Sequence, residues 1–589
     1  MTNKARRVFS LPAFVVLTTV LILNSLIYMP FLSDDALISM RYSARLADGH
    51  GLTWTGGSAV EGYSNLLWVL LTTGGISVGL DGVAAVRLLG VLSLICFVFC
   101  VLFTYRKNIT REYMIVLLFA VISAPLGVWS IGGLEQPLVA ALLALSIPLI
   151  WRVIDKKEAG FARYFTASIP LALLCITRPD GVIFTFAALL VLLFSGNGRR
   201  SFLLAVFPVL IMLAQLGFRL GYYGDYVPNT ARIKMRPSVH YSIGGVKYLI
   251  RGVFVLFPLS MFSIYATFKA VRKRHFRTLL PAAMALSWMM YLVLIGGDIF
   301  PAYRHFVPLV VLFTWICIEE LPEIRRTFRS VALFAVILLL FVVLQYADSR
   351  NRDAREELWE WDGQVTALVL KEAFAEQQPL LAVTAAGSLP YWSELPSLDM
   401  LGLNDRYLAL NQGNSTEHGL LGHNVCNPVH ILERQPDIIS FNVAGVPSGL
   451  AVAESLSISS EFQRLYSRVI VRGTEPYTSH GVLWFNRESP LTGIKTSADS
   501  MVIPAYFFNQ YKHTVMFNQN GVPGIAVTCD APAGIVLADV PPGSEWIPVE
   551  YSSSLSVQLQ YSGDSLIVEL ATDQTDPVFV KEVVLIPDQ

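Results

Sequence analysis

Charge is what this chain has least of. Asp, Glu, Lys and Arg make up 15% of its 589 residues, against roughly 25% in ordinary soluble domains, and 44 basic residues balance 44 acidic ones. Without a net basic field the chain cannot hold nucleic acid by releasing counterions, so that class is set aside. Cysteine is scarce too, six in all, and no Cys/His pair has metal-ligand spacing. Cys96, Cys100, Cys175 and Cys317 fall in apolar runs, where a thiol behaves as a small core residue. Cys426 and Cys529 lie in polar text and could pair only in an oxidising compartment. No small-residue cleavage site follows the first apolar run, so MTNKARR and the residues after it read as an uncleaved first helix rather than a signal peptide.

Apolar text fills the space that charge leaves. Hydrophobic residues are 54% of the chain and mean hydropathy is +0.53, the composition of a polytopic α-helical membrane protein. Runs of near-spanning length lie at 8–29, 84–104, 113–130, 135–151, 162–177, 181–195, 201–222, 248–268, 278–296, 305–320 and 330–347, which predicts about eleven spans. The stretch NLLWVLLTTGGISVGL (65–80) is apolar but short and broken by Gly74 and Gly75. If it crossed, the basic loops YRKNITRE (105–112) and WRVIDKKEAGFAR (151–163) would fall outside, against the positive-inside rule. If it lies along the interface, those loops join Lys4, Arg6, Arg7, GNGRR (196–200), KAVRKRHFR (269–277) and EIRRTFR (323–329) on the cytoplasmic side. About twenty Lys and Arg then face in and about eight face out. An odd number of spans carries residues 348–589 to the periplasm. The division expected is a membrane domain over 1–347 whose first periplasmic loop, 30–83, carries juxtamembrane helices. An α/β region over 348–500 and a β-rich, sandwich-like region over 501–589 follow.

With that topology the outward loops collect polar groups. They hold Asp34, Asp35, Arg41 and Arg45; Glu61, Tyr63 and Asn65 in VEGYSN; Glu135 in GGLEQP; Arg178 and Asp180 in TRPDG; and Asp298, Arg304 and His305 in GGDIFPAYRHF. Arg232, Lys234 and Arg236 in YVPNTARIKMRPS break the positive-inside pattern and so ask for an anion, either lipid headgroups or a phosphate held at the surface. SDDALISMRYSARLA reads as an amphipathic helix with two acidic residues at its start. One of them can cap the helix. The other can serve as general base or metal ligand, because adjacent carboxylates push their pKa values apart. Arg178 and Asp180, close to membrane depth, are costly unless paired or facing water, which favours a pocket over a plain hairpin.

The set DDALISMRYSARLADGHGLTW…VEGYSNLLW, GGLEQP, TRPDG, GGDIFPAYRHFVP and LDMLGLNDR resembles the AftB-like arabinofuranosyltransferases, members of the GT-C superfamily of membrane glycosyltransferases. The likeness runs from about residue 30 to 310 and continues through LDMLGLNDRY (398–407) and GHNVCNPVHILERQPDII (422–439). It implies transfer of D-arabinofuranose from a polyprenyl-phosphate donor to an extracytoplasmic glycan or glycoprotein, in a bacterial cytoplasmic membrane. It implies a first-loop catalytic carboxylate at Asp34 or Asp35, Asp34 being favoured, and in some relatives a divalent cation (Mg, Mn or Ca), for which no ligand spacing is seen here. The donor phosphate would meet Arg232, Lys234, Arg304, His305 and Arg178. Glu61, Tyr63, Asn65, Glu135, Asp180, Asp298, Asp399, Asn404, Asp405, Arg406 and His423 would shape the substrate sites. Little beyond residue 440 fits the family. A transferase using mannose or aminoarabinose, and a lipid-linked sugar flippase, are the competing readings; no inverted repeat supports the flippase.

Overall fold

The computed structural model describes residues 10–57, 59–107, 109–156, 160–234, 239–320, 328–413, 423–441, 449–472, 480–508, 516–519, 522–527, 533–537, 546–549, 554–562, 565–574, 576 and 578–587. Lys4, Arg6, Arg7, Arg236 and Cys529, and most of the loop at 323–329, lie outside them. The chain divides into two units: Met1–Thr53 with Tyr63–Leu358, and Trp54–Gly62 with Trp359–Gln589.

The first unit is all helix. Among the described residues six helices are long and apolar enough to cross a membrane, and nine if each of three bent pairs is one span. The chain is therefore a multi-pass membrane protein. Pro301–Glu320 is wholly enclosed by the others, whereas Arg200–Tyr223 is the most peripheral of the six. Trp129, Trp151 and Trp288 on other helices, and Trp315 on this one, are fully buried. Leu66–Ser77 is a helix of 12 residues, about 18 Å long. That is well short of the roughly 30 Å of hydrocarbon it would have to cross, in keeping with the interfacial placement expected from charge.

Two expected spans are not continuous. Arg111–Ile122 and Ala124–Ile131 meet at 53°, and Val239–Val255 and Leu259–Lys273 at 99°. A hydropathy window averages across such breaks, because both halves are apolar. The backbone groups released at a break in an apolar surrounding need partners, and side chains from distant helices supply them. Asn24 Nδ2 donates to the carbonyls of Val121 (3.0 Å) and Ser123 (3.1 Å). Gln345 Oε1 accepts the Ala124 N–H at 2.9 Å while its Nε2 donates to the Val255 carbonyl at 2.6 Å. One residue thus serves both breaks.

The second unit holds an eight-stranded mixed sheet with spatial order 578–580, 522–527, 516–519, 466–472, 480–486, 438–440, 381–383 and 397–399. Strands 397–399, 381–383 and 438–440 run parallel, and 438–440, 480–486 and 466–472 antiparallel. Strands from both sides of residue 500 therefore share one sheet, so the boundary expected there does not divide the fold. Two smaller antiparallel sheets, three- and four-stranded, complete the unit. The short strands and frequent turns predicted beyond 500 are present. The pairing of 516–519 with 466–472, Val471 against Met516, is a tertiary choice that local text does not encode.

Candidate active site

The Asp pair opens the helix Asp34–Ala47, whose polar start and buried Leu37, Ile38 and Met40 give it one apolar face. Its entry is fixed by the GGLEQP loop. The Ser33 N–H donates to the Gly132 carbonyl at 3.1 Å, and Trp68 Nε1 donates to the Gly133 carbonyl at 2.9 Å. Gly133 has φ +87°, and a Cβ there would stand 2.7 Å from the Ala36 Cβ. Glycine is therefore required both by conformation and by the closeness of the helix that carries the carboxylates.

From this helix a buried polar chain leads inward. Ser39 Oγ and Asn65 exchange hydrogen bonds at 3.2 Å, and Asn65 Nδ2 donates to Glu135 Oε2 at 2.9 Å. Gln136 Nε2 donates to Glu135 Oε1 at 3.0 Å. Arg178 then joins two carboxylates: it pairs with Glu135 and grips Asp180 with two bonds, 2.9 and 2.7 Å. The Tyr291 hydroxyl donates to Asp180 Oδ2 at 2.9 Å. Glu135, Arg178 and Asp180 are largely enclosed. Charges this deep persist because each is hydrogen-bonded to an opposite charge. Of the two ways to meet the cost of charge in TRPDG, pairing or a watery pocket, the structure shows pairing.

Lys234, on the short helix Asn229–Lys234, stands 199 residues from Asp35 in sequence and donates to its Oδ2 at 3.1 Å. Arg232 on the same helix pairs with Asp225. In GGDIFPAYRHF, Arg304 clasps Asp298 through two bonds of 2.9 and 3.0 Å. Ala302 and Tyr303 there hold left-handed φ of 48° and 49°. Non-glycine residues stay in that region only when neighbours over-determine them. Trp129 donates to the Pro301 carbonyl (3.3 Å), Trp288 to the His305 carbonyl (2.8 Å), and Arg350 to the carbonyls of Asp298 and Phe300 (3.0 and 3.3 Å). His305 is buried with its Nε2 4.0 Å from Asp298 Oδ2, and the fields of Arg304, Arg178 and Lys234 all act on its ring.

Tyr63 belongs to the same unit, its hydroxyl 3.1 Å from that of Tyr223 and its ring packed on Tyr42. Glu61 does not: it lies in Trp54–Gly62, which belongs to the second unit. There the Ser397 N–H donates to Thr55 Oγ1 at 3.0 Å. A Cβ on Gly62 would stand 2.0 Å from Asn404 Oδ1, so the loop passes this side chain only as glycine. Asp399 turns its carboxylate onto its own loop, accepting the Leu401 and Asn404 N–H groups and Asn404 Nδ2, each at 2.9 Å. Asp405 caps Arg406–Leu410 by accepting the Leu408 N–H at 2.8 Å. Arg406 is exposed and His423 half-buried. Asp399 and Asp405 thus carry the turn-building role that was open beside a substrate role.

Burial pushes the Asp399 carboxyl up to about 6, against the opposing pull of its three N–H donors. Because the folded value exceeds the unfolded one, the stabilisation tied to its proton is complete below about pH 4 and lost as pH rises through about 6. Amide protection of Leu401 and Asn404, corrected for intrinsic exchange, is expected to strengthen between pH 7 and pH 5 by on the order of 1 kcal/mol. The variant D399N should lack this pH dependence; an unchanged pH slope in D399N would place its origin elsewhere.

Among the described residues no three His, Cys, Asp or Glu side chains are grouped to hold a metal ion. Asp34 and Asp35 offer two carboxylates, of which Asp35 already faces Lys234. That donor set does not make a metal cage by itself. Sequence reasoning missed Asp225, Tyr291, Arg350 and Gln345. Asp225 and Tyr291 sit inside expected outward loops or span ends, but nothing local pairs them with Arg232 and Asp180.

What fold and site define together is a multi-pass membrane protein with a cluster of ion pairs around the Asp34/Asp35 helix. Over 222 residues the chain is 30% identical to the terminal beta-(1->2)-arabinofuranosyltransferase of Mycobacterium tuberculosis (strain ATCC 25618 / H37Rv). The matched stretch is 35% of this chain and 35% of that protein, so it spans about a third of the relative's length. Over that stretch the chain is similar to an arabinofuranosyltransferase. Residues 352–485 match a family described as a domain of unknown function (DUF8728). Among solved structures it is similar to ArnT from Cupriavidus metallidurans bound to undecaprenyl phosphate, with a TM-score of 0.48 and 14% identity over 66% of this chain and 85% of that one. It is also similar to the arabinofuranosyltransferase AftD from mycobacteria, with a TM-score of 0.41 and 10% identity over 99% of this chain and 57% of that one.

Proposed function

We propose that the protein is a GT-C-type membrane glycosyltransferase that moves D-arabinofuranose from a polyprenyl-phosphate donor to an extracytoplasmic glycan or glycoprotein. The observation that carries this reading is the convergence at the Asp34–Ala47 helix. A carboxylate pair stands at its start, Lys234 reaches Asp35, and the Ser39–Asn65–Glu135 chain ties the same helix to Arg178. A phosphate entering among these groups would exchange carboxylate partners for its own oxygens, with Arg304 and Arg178 offering forked donors and Lys234 a point charge. One carboxylate of the pair would take the proton of the acceptor hydroxyl as it attacks the sugar carbon. The cations would stabilise charge growing on the departing phosphate. The donor's prenyl tail would remain among the helices.

In this reading about eleven spans place the N-terminus in the cytoplasm and the second unit outside, and the interfacial Leu66–Ser77 helix belongs to the first outer loop. The similarity to the mycobacterial arabinofuranosyltransferase supports the choice of sugar. The test is a transfer assay with purified full-length protein in lipid, offered decaprenyl-phosphoarabinose and the corresponding mannose and aminoarabinose lipids, with an arabinofuranose oligosaccharide as acceptor. Product is expected from the arabinose lipid alone. Product from another sugar lipid would change the donor, and movement of intact sugar lipid across the bilayer without product would replace the enzyme reading with a flippase.

A further inference from the structure

The part of the second unit with no assigned chemistry contains an aromatic patch that the donor site does not use. Trp361, near the start of the helix Trp359–Ala373, and Trp392, on Ser388–Ser393, have ring centroids 5.7 Å apart with planes at 36°. Tyr391 meets Trp392 edge to face at 5.6 Å. All three rings are half-buried rather than enclosed, although the unit has a well-filled core elsewhere. The two helices are joined at the patch, where Ser388 Oγ donates to the Glu360 carbonyl at 2.9 Å. The surrounding charge is acidic. Asp362 and Glu394 are exposed beside the rings and Glu360 lies buried next to them, while Lys371 is paired with Glu394 at 2.6 Å.

Three adjoining aromatic faces bordered by carboxylates suit one kind of partner. The C–H face of a sugar ring stacks on an indole as other apolar surfaces do, and carboxylates accept the hydrogen bonds its hydroxyls donate. An anionic membrane surface, which also draws Trp and Tyr, would be repelled by the same carboxylates. We infer that Trp361, Tyr391 and Trp392 form a saccharide subsite that holds the acceptor glycan away from the reacting end. This inference rests on the reading that the acceptor is a glycan. The 352–485 segment then binds the neutral chain that the membrane unit extends.

The experiment uses the full-length protein in nanodiscs and a synthetic linear arabinofuranose hexasaccharide as probe. Calorimetric titration is carried out on the D34N background, so that binding is read whether or not transfer occurs. W361A and W392A are each expected to weaken hexasaccharide binding about ten-fold. In the otherwise wild-type enzyme they should raise the acceptor KM by a similar factor, leaving kcat and the donor KM unchanged. W361F and W392F, which keep an aromatic face, should retain most of the affinity and serve where the alanine variants fold poorly. Unchanged hexasaccharide binding in all four variants overturns the inference. So does a loss confined to association with anionic vesicles, which would make the patch a membrane anchor. Absence of transfer with hexasaccharide binding intact and Trp-dependent would overturn the catalytic reading while leaving this subsite standing.

Discussion

Asp34→Asn and Asp35→Asn are expected to lower transfer by roughly 10²- to 10⁴-fold, the range for loss of a general base. Melting temperature should stay close to wild type, because both side chains are only half-buried. The two need not fail for the same reason. Asp35 is paired with Lys234 at 3.1 Å, so D35N also frees a cation beside the phosphate groups. If Asp35 acts chiefly by holding Lys234, then K234Q should reproduce the D35N defect and raise the donor KM. D34N should instead lower kcat with the donor KM little changed. Such a result would make Asp34 the base. Single-turnover transfer rates and a donor titration for the three variants decide it. Unchanged turnover in both Asp variants would remove the catalytic assignment from this helix.

Removing Arg178 should have the largest structural effect in the molecule. Among the described residues its guanidinium is the one cation that bonds both Glu135 and Asp180, and loss of one partner from a buried ion cluster costs about 3–5 kcal/mol. R178A is expected to unfold or melt far below wild type, with transfer lost. E135Q and D180N each leave Arg178 one carboxylate, so their losses should be clearly smaller than that of R178A. R178K should fall between, since an ammonium cannot reproduce the two-pronged grip on Asp180. Thermal unfolding in one detergent across the four variants checks the order. Equal melting of R178A and wild type would mean the triad contributes little.

How much of this was legible in the sequence depends on whether the cause is local. The Asp34–Ala47 helix announces itself through its acidic start and apolar spacing, and the short run after Asn65 is too brief and glycine-broken to span. TRPDG could be read as a costly polar break, and the structure supplies the Glu135 and Tyr291 that share its charge. What could not be read depends on residues far apart in the chain. The breaks near Ser123 and between Val255 and Leu259 sit inside uniformly apolar text and are specified by Asn24 and Gln345. The sheet that crosses residue 500 depends on a strand pairing, Val471 with Met516, that is likewise remote in sequence. Glu61 looked like a companion of Tyr63 and Asn65 because it is their neighbour in sequence. It belongs to the other unit, where the loop passes Asn404 only by having no side chain at Gly62.

Gln345 also bears on how the protein is made. During insertion the helices before it enter the bilayer first, with the amide of Ala124 and the carbonyl of Val255 still lacking the side chain that later satisfies them. Bare backbone groups are poorly tolerated in hydrocarbon. The early helices must therefore hold water, borrow temporary partners or stay straight until Phe328–Ala347 arrives. This last long apolar helix of the membrane unit is thus the clasp of its biogenesis: a chain truncated before it should be a substrate for quality control.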